Sequence, residues 1–138
     1  MDDDEIAAFL SRGTRTGKLA TAGPSGAPHV APVWFVVDGR ELVFQTGRDT
    51  VKGRHLRADP RASLCVDDEV FPYGFVVVRG GVSIDEDPVA MLDWATRIAE
   101  RYVPAGRAEE FGRRNGAAGE LLCRLRMDRV VGAVDIAL

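Results

Sequence analysis

The chain has 138 residues, 46% hydrophobic and 28% charged, with a formal net charge of -3. That length supports one domain with a real core, spanning 1–138, and the composition is that of an ordinary soluble globular protein. The acidic balance argues against general nucleic-acid binding, no apolar run approaches the roughly 18 residues that span a bilayer, and MDDDE is acidic where a signal peptide is basic, so a cytoplasmic protein without membrane or nucleic-acid partners is expected.

Asp2 to Arg12 sets Ile6, Phe9 and Leu10 at the i, i+3, i+4 spacing of one helical face, with acids at the favourable N-terminal end. This predicts a helix laid across a barrel mouth or a sheet. Gly13 to Lys18, GTRTGK, superficially looks like a phosphate-binding P-loop. It is one residue short between glycines, lacks Ser or Thr after the lysine, and follows a helix where that motif needs a strand, so it is rejected. Strands then follow at Leu19–Ala22, after a turn at Gly23-Pro24-Ser25-Gly26 from His29 to Val37, and after a turn at Asp38-Gly39 through Phe44. The last two read as a hairpin. Val33 to Val37 is apolar without alternation, which requires cover on both faces from a helix, a ligand or a second subunit.

Thr46 to Arg61, TGRDTVKGRHLRADPR, leaves the strand, turns at Gly47, opens a short helix near Asp49 or Thr50 and stops at Asp59-Pro60. Arg48, Thr50 and Lys52 stand at the helix opening, where unpaired N–H groups and the positive dipole end suit a phosphate. The plainer reading is a solvated basic face. Against it, the chain uses sixteen arginines and two lysines, and one of the two is Lys52. A lysine among arginines suits a site that wants a compact point charge rather than a planar fork. Gly53 is expected to weaken this helix by about 1 kcal/mol relative to Ala.

A strand at Ala62–Val66 and an acidic turn lead to a long strand from Tyr73 to Ile84, with a bulge or bend at Gly80-Gly81. Phe75–Val78 is again apolar on both faces, and two such strands in a small chain make dimerisation the preferred explanation. Asp87-Pro88 starts a helix with the stripe Met91, Ala95, Ile98 and Tyr102, and Asp93 paired with Arg97 outside. A short polar helix spans Arg107 to Arg114. Leu121 to Met127 alternates as a half-buried strand continued by Val130-Val131. Cys65 and Cys123 lie apart in apolar stretches, which predicts buried free thiols and no metal site. Six antiparallel strands with helices between and beside them predict an α+β domain on a small barrel. No triad, spaced carboxylate pair or metal cluster is visible, so no catalytic residue is assigned.

Four passages in order, Lys18–Thr21, Pro28–Trp34, Thr46–Lys52 running into His55-Leu56 and Asp59–Arg61, and Phe75–Gly80, carry a family likeness. The chain resembles the split β-barrel superfamily of pyridoxamine 5'-phosphate oxidase-like proteins, and within it the short flavin- and deazaflavin (coenzyme F420)-dependent oxidoreductases of actinobacteria. The resemblance implies a six-stranded antiparallel split β-barrel of the FMN-binding type with peripheral helices. It also implies a homodimer holding two cofactors between subunits and acting on a small-molecule substrate. Lys52, Thr50 and Arg48, with Val51 between them, would sit at the cofactor phosphate. Pro32, Val33 and Trp34 would lie along the ring, Gln45 and Thr46 would line the same cleft, and His29 would stand at its entrance. The cofactor implied is coenzyme F420, with FMN as the alternative; Arg54, Arg57 and Arg61 could attract the anionic tail of F420. His55 replaces a usual asparagine. Tyr73 could face substrate or fill the barrel. The chain stops soon after its last strand, which counts against oxidation of pyridoxamine phosphate. A non-catalytic flavin, F420 or haem-binding protein is the third reading.

Overall fold

The computed structural model describes residues 1–138. Four helices, α1 (Asp3–Ser11), α2 (Val51–Ala58), α3 (Pro88–Tyr102) and α4 (Ala108–Asn115), surround eight strands. The strands are β1 (Gly17–Ala22), β2 (Pro28–Val33), β3 (Phe35–Asp38), β4 (Glu41–Gly47), β5 (Arg61–Asp68), β6 (Gly74–Asp85), β7 (Glu120–Arg126) and β8 (Arg129–Val134). Local chemistry fixes the helix starts. The Asp2 carboxylate accepts from the Glu5 N–H at the head of α1, and Asp87 does the same for the Ala90 N–H at the head of α3, with proline in its first turn.

All strand pairings are antiparallel, in the order β2-β1-β5-β6-β7-β4-β3, with β8 added beside β6. This is the α+β split barrel that the sequence predicts, with eight strands in place of six. One extra strand arises at Trp34, where the stretch expected as one strand breaks: β2 pairs with β1, and β3 pairs with β4. The other arises because Val130-Val131 does not continue β7. The chain turns after Met127 and returns along β6, with Val131 opposite Val77.

β6 belongs to both halves of the barrel. Up to Gly81 it pairs with β5, and from Val82 to Asp85 it pairs with β7. The predicted bend at Gly80-Gly81 falls at that change of partner, and the backbone at the end of β7 passes too close to Gly80 for a side chain. A Cβ on Gly80 would lie 2.0 Å from the carbonyl oxygen of Arg126, and one on Gly81 would lie 2.1 Å from its guanidinium.

The barrel interior is filled by Leu19, Phe35, Phe44, Leu64, Val76, Leu125 and their neighbours, joined by Phe9 and Leu10 of α1 and Leu56 of α2. Outside, Met91, Ala95, Ile98 and Ala99 of α3 are buried, as are Val43 and Leu122 on the strands that α3 contacts. Leu122, which alternation placed on the polar face of its strand, is buried for that reason. The Trp34 corner is fixed by the end of α3. The Trp34 and Tyr102 rings stack 5.0 Å apart at 5°. The Tyr102 hydroxyl accepts from the Phe35 N–H at 3.3 Å and lies 2.8 Å from the Arg15 carbonyl as donor. Arg101 donates to the carbonyls of Leu10, Gly13 and Phe35. The second face of the Val33–Val37 stretch is therefore covered by a helix of the same chain, and this stretch gives no reason for a second subunit.

Tyr102→Phe keeps the stack and removes the hydroxyl, leaving the Phe35 N–H without its acceptor. The expected loss is about 1–3 kcal/mol of stability with the fold intact, read from the midpoint of urea unfolding.

Candidate functional site

A cleft of about 280 Å³ opens where β4 gives way to α2. The strand corner contributes Pro32, Val33 and Trp34; β4 contributes Gln45, Thr46 and Gly47; the start of α2 contributes Thr50 and Lys52. Ile98 of α3, Asn115 of α4 and Glu120 of β7 complete the wall. Seven of the ten residues singled out from the sequence thus meet at one hollow. Asn115, Glu120 and Ile98 were not among them. They lie far along the chain and arrive only because β7 pairs with β4, with Glu120 opposite Gly47, and because α3 packs outside these strands and carries α4 with it.

Thr50 caps α2: its hydroxyl oxygen accepts from the Gly53 N–H at 3.1 Å and its proton goes to the Gly47 carbonyl at 2.7 Å. The N–H groups of Val51 and Lys52 have no acceptor in the protein, as expected of the first residues of a helix. The Lys52 ammonium makes no ion pair or hydrogen bond, whereas Lys18, the other lysine, lies 3.6 Å from Asp67 and 3.3 Å from the Thr16 carbonyl. A free point charge and two unpartnered N–H donors at one helix end form an anion-binding arrangement. Gln45 donates to the Met91 carbonyl at 3.2 Å, which leaves its own carbonyl oxygen without a protein partner.

Three of the sequence-predicted residues are elsewhere. Arg48 turns away to pair with Glu86, a consequence of the exposed acidic segment that precedes α3. The Val51 side chain is exposed and contributes only its backbone to the helix end. His29 lies edge-on to His55, ring centroids 6.0 Å apart, with its Nδ1 buried and unpartnered. It is held there because β1–β2 pairing sets it opposite Thr21, whose hydroxyl bonds His55 Nδ1 at 3.0 Å. His55 therefore anchors α2 to β1. Tyr73 neither fills the barrel nor lines this cleft; it is exposed beside Phe71.

The basic residues beyond Lys52 are largely committed. Arg54 and Arg57 fold back to the carbonyls of Asp49 and Arg48, and Arg61 makes a two-pronged contact with Asp59. A more open groove of about 650 Å³ near Arg61, Arg79 and Arg126 also contains Asp59 and Asp128, and is a surface of mixed charge. Inside the cleft the electrostatics are less settled. Burial pushes the Glu120 carboxyl above the ordinary glutamate range against the pull of Lys52, and its Oε2 is buried with no partner. Both cysteines are free; Cys123 is buried with its thiol pushed up to about 12, while Cys65 is only half-buried on the outer sheet face. No group of three or more His, Cys, Asp or Glu stands in metal-binding proximity, and no helix is long and apolar enough to cross a membrane.

Residues 2–129 match the family described as Pyridoxamine 5'-phosphate oxidase. A conserved hypothetical protein of Mycobacterium tuberculosis has the same fold at a TM-score of 0.83 and 27% identity, covering 100% of this chain and 89% of that one. An F420 reductase superposes with a TM-score of 0.74 at 28% identity, over 90% of this chain and 94% of its own. The heme storage protein HutZ of Vibrio cholerae, at 18% identity and a TM-score of 0.73 over 94% and 92% of the two chains, shares the fold alone.

Gly53 has a structural reason that helix propensity does not reveal. A Cβ there would lie 2.1 Å from the Gly47 carbonyl oxygen and 2.8 Å from that of Arg48. Gly53→Ala, which propensity alone would make stabilising, is expected to destabilise by about 1–3 kcal/mol through overpacking against backbone, measured as a lowered denaturation midpoint.

Proposed function

From the premise that this chain belongs to the pyridoxamine 5'-phosphate oxidase family, we propose that it is an oxidoreductase that uses reduced coenzyme F420 to deliver hydride to a conjugated or unsaturated small molecule. The observation that carries this reading is the unpaired Lys52 ammonium beside the free N–H groups opening α2, on the wall of the one cleft to which the strand corner, β4 and α2 all contribute. When bound, the cofactor would supply the redox chemistry, while the protein binds and orients it and excludes water.

Each part of the cleft has a task in this reading. Lys52 and the first N–H groups of α2 would offset the phosphate charge. Thr50 acts indirectly, because its hydroxyl is engaged at both ends in seating the helix. Pro32, Val33 and Trp34 would form the wall along the ring system, with the Trp34 ring held in place by its stack on Tyr102. Gln45 lines the cleft and keeps its side-chain carbonyl oxygen free to accept. FMN would use the same phosphate grip and is the alternative cofactor. The similarity to an F420 reductase supports the deazaflavin, and a purely binding role is the third reading.

A homodimer belongs to the proposal. The cleft, about 280 Å³, is below the roughly 300–1,000 Å³ of sites that enclose a small molecule, so most of a flavin-sized ligand would lie against another surface. The outer face of β1, β2, β5, β6 and β8 carries an apolar patch that this chain leaves uncovered, where Ala20 is opposite Val30, Phe75 opposite Ala133 and Val77 opposite Val131, with Val30 65% and Val131 51% exposed; the Lys18–Asp67 ion pair and Arg79 share that face. Such an exposed apolar patch with charges beside it is suited to a second copy of the chain.

Titration of the purified protein with F420 and FMN, followed by fluorescence quenching, tests the reading, and oxidation of reduced F420 by a panel of quinones, enones and tetrapyrroles tests turnover. Lys52→Ala is expected to weaken cofactor binding by about 1.5–3 kcal/mol, the range for a hydrogen bond to a charged group; an unchanged dissociation constant removes Lys52 from the site. In dilute solution the protein is expected to sediment as a dimer. A fully active monomer would overturn the shared-cleft arrangement.

A further inference from the structure

The cleft that would accept an anion also presents an acid to it. Glu120 is the first residue of β7, held opposite Gly47 by the β4–β7 ladder, and its Oε2 is sealed from water with no hydrogen-bond donor. That oxygen would lie 3.9 Å from a Cβ on Gly47, so the carboxyl is packed against the backbone where β4 ends, just ahead of the residue that caps α2. Every element around it has been built without a second cation for it. Lys52 of α2 is the one charged side chain that shares the cleft wall with it. β4 offers Gln45, Thr46 and Gly47, α3 offers Ile98, α4 offers Asn115, and the strand corner offers Pro32, Val33 and Trp34, none of which titrates. On its own strand the nearby titratable group is the Cys123 thiol, buried and protonated. Arg48, one residue past Gly47, is taken by Glu86.

With Lys52 and Glu120 both ionised, the cleft would meet a phosphate with no net charge, and the carboxylate would oppose what the ammonium attracts. A neutral carboxyl removes that opposition and carries an O–H that can donate rather than a second acceptor charge. Resting on the reading of this cleft as the seat of an anionic cofactor, we propose that Glu120 takes up a proton from solvent as the cofactor phosphate enters, so that the occupied cleft holds Lys52 charged and Glu120 neutral. Burial already favours the neutral acid in the free protein, and an arriving anion favours it further. The sign follows from linkage. Below the free-state pKa the carboxyl is already neutral and binding takes up no extra proton. Between the free-state and bound-state pKa values each ligand brings in up to one proton, and the dissociation constant rises by up to about tenfold per pH unit.

Calorimetric titration of wild type and Glu120→Gln with F420 and with FMN, in pairs of buffers with different ionisation heats between about pH 6 and 9, counts these protons. Titration of the ligand's own phosphate is common to both proteins and cancels in the comparison. Wild type is expected to take up more protons per ligand than the variant, approaching one extra, and to lose affinity with rising pH more steeply, while Glu120→Gln binds as tightly as wild type or more tightly near pH 8. Equal proton uptake and equal pH slopes overturn the proposal while leaving the cofactor reading standing, as does a variant that binds more weakly at every pH. If the Gln variant does not give a cooperative melt, Glu120→Ala is measured in its place, with the same expected loss of proton uptake and the same overturning result. Failure of wild type to bind either compound at any pH overturns the cofactor reading and the role of Glu120 together.

Discussion

Helix α2 can dock its first turn on the end of β4 because residue 53 has no side chain to strike the Gly47 carbonyl. From that close approach the rest of the site follows. Thr50 reaches both the Gly47 carbonyl and the Gly53 N–H, so the turn between strand and helix is stitched across by one hydroxyl. Arg54 and Arg57 then tie down the carbonyls of the same loop, and His55 fastens the far side of the helix to Thr21 of β1. The helix end is thereby fixed rather than free to fray, which is what a pre-organised anion site requires. Lys52 projects from this rigid base without a partner, and its freedom is meaningful because so many neighbouring cations are occupied.

The arginines explain why the one unpaired lysine, Lys52, stands out. Arg101 binds three carbonyls from α1, the loop after it and β3; Arg40 bridges to Asp3 and the Met127 carbonyl; Arg124 sits over the Trp94 ring and reaches Asp38 and Glu41. These are uses that exploit a planar, multi-donor group to satisfy backbone oxygens where elements meet. The basic patch on α2, legible in the sequence as a run of charge, is mostly this kind of internal fastening.

Much of the framework was legible because it rests on local chemistry. Asp2, Thr50 and Asp87 announce helix starts, Asp59-Pro60 ends one, and the Gly80-Gly81 pair marks the place where β6 changes neighbours. What escaped is set by packing between distant segments. Nothing in PHVAPVWFV signals that Trp34 will swing onto Tyr102 and divide a strand in two, since an unbroken apolar run fits a buried strand equally well. Arg48 looked like a phosphate ligand by its place in the chain, but Glu86, close to it only in three dimensions, claims it. Glu120 gave no sign at all: a lone acid at the edge of an apolar run reads as a solvent-facing strand end, and only the ladder to β4 turns it inward. Propensity misjudged Gly53 for the same reason, since its role depends on a carbonyl from another element.

β6 runs from the exposed apolar patch, through the Gly80-Gly81 bend, to the half of the barrel that carries the cleft. Phe75 and Val77 look outward from its first half, and its second half is hydrogen-bonded to β7, the strand that begins with Glu120. A second copy of the chain seated on that patch would rest against the same strand that, past its bend, is hydrogen-bonded to β7 and backs the pocket wall.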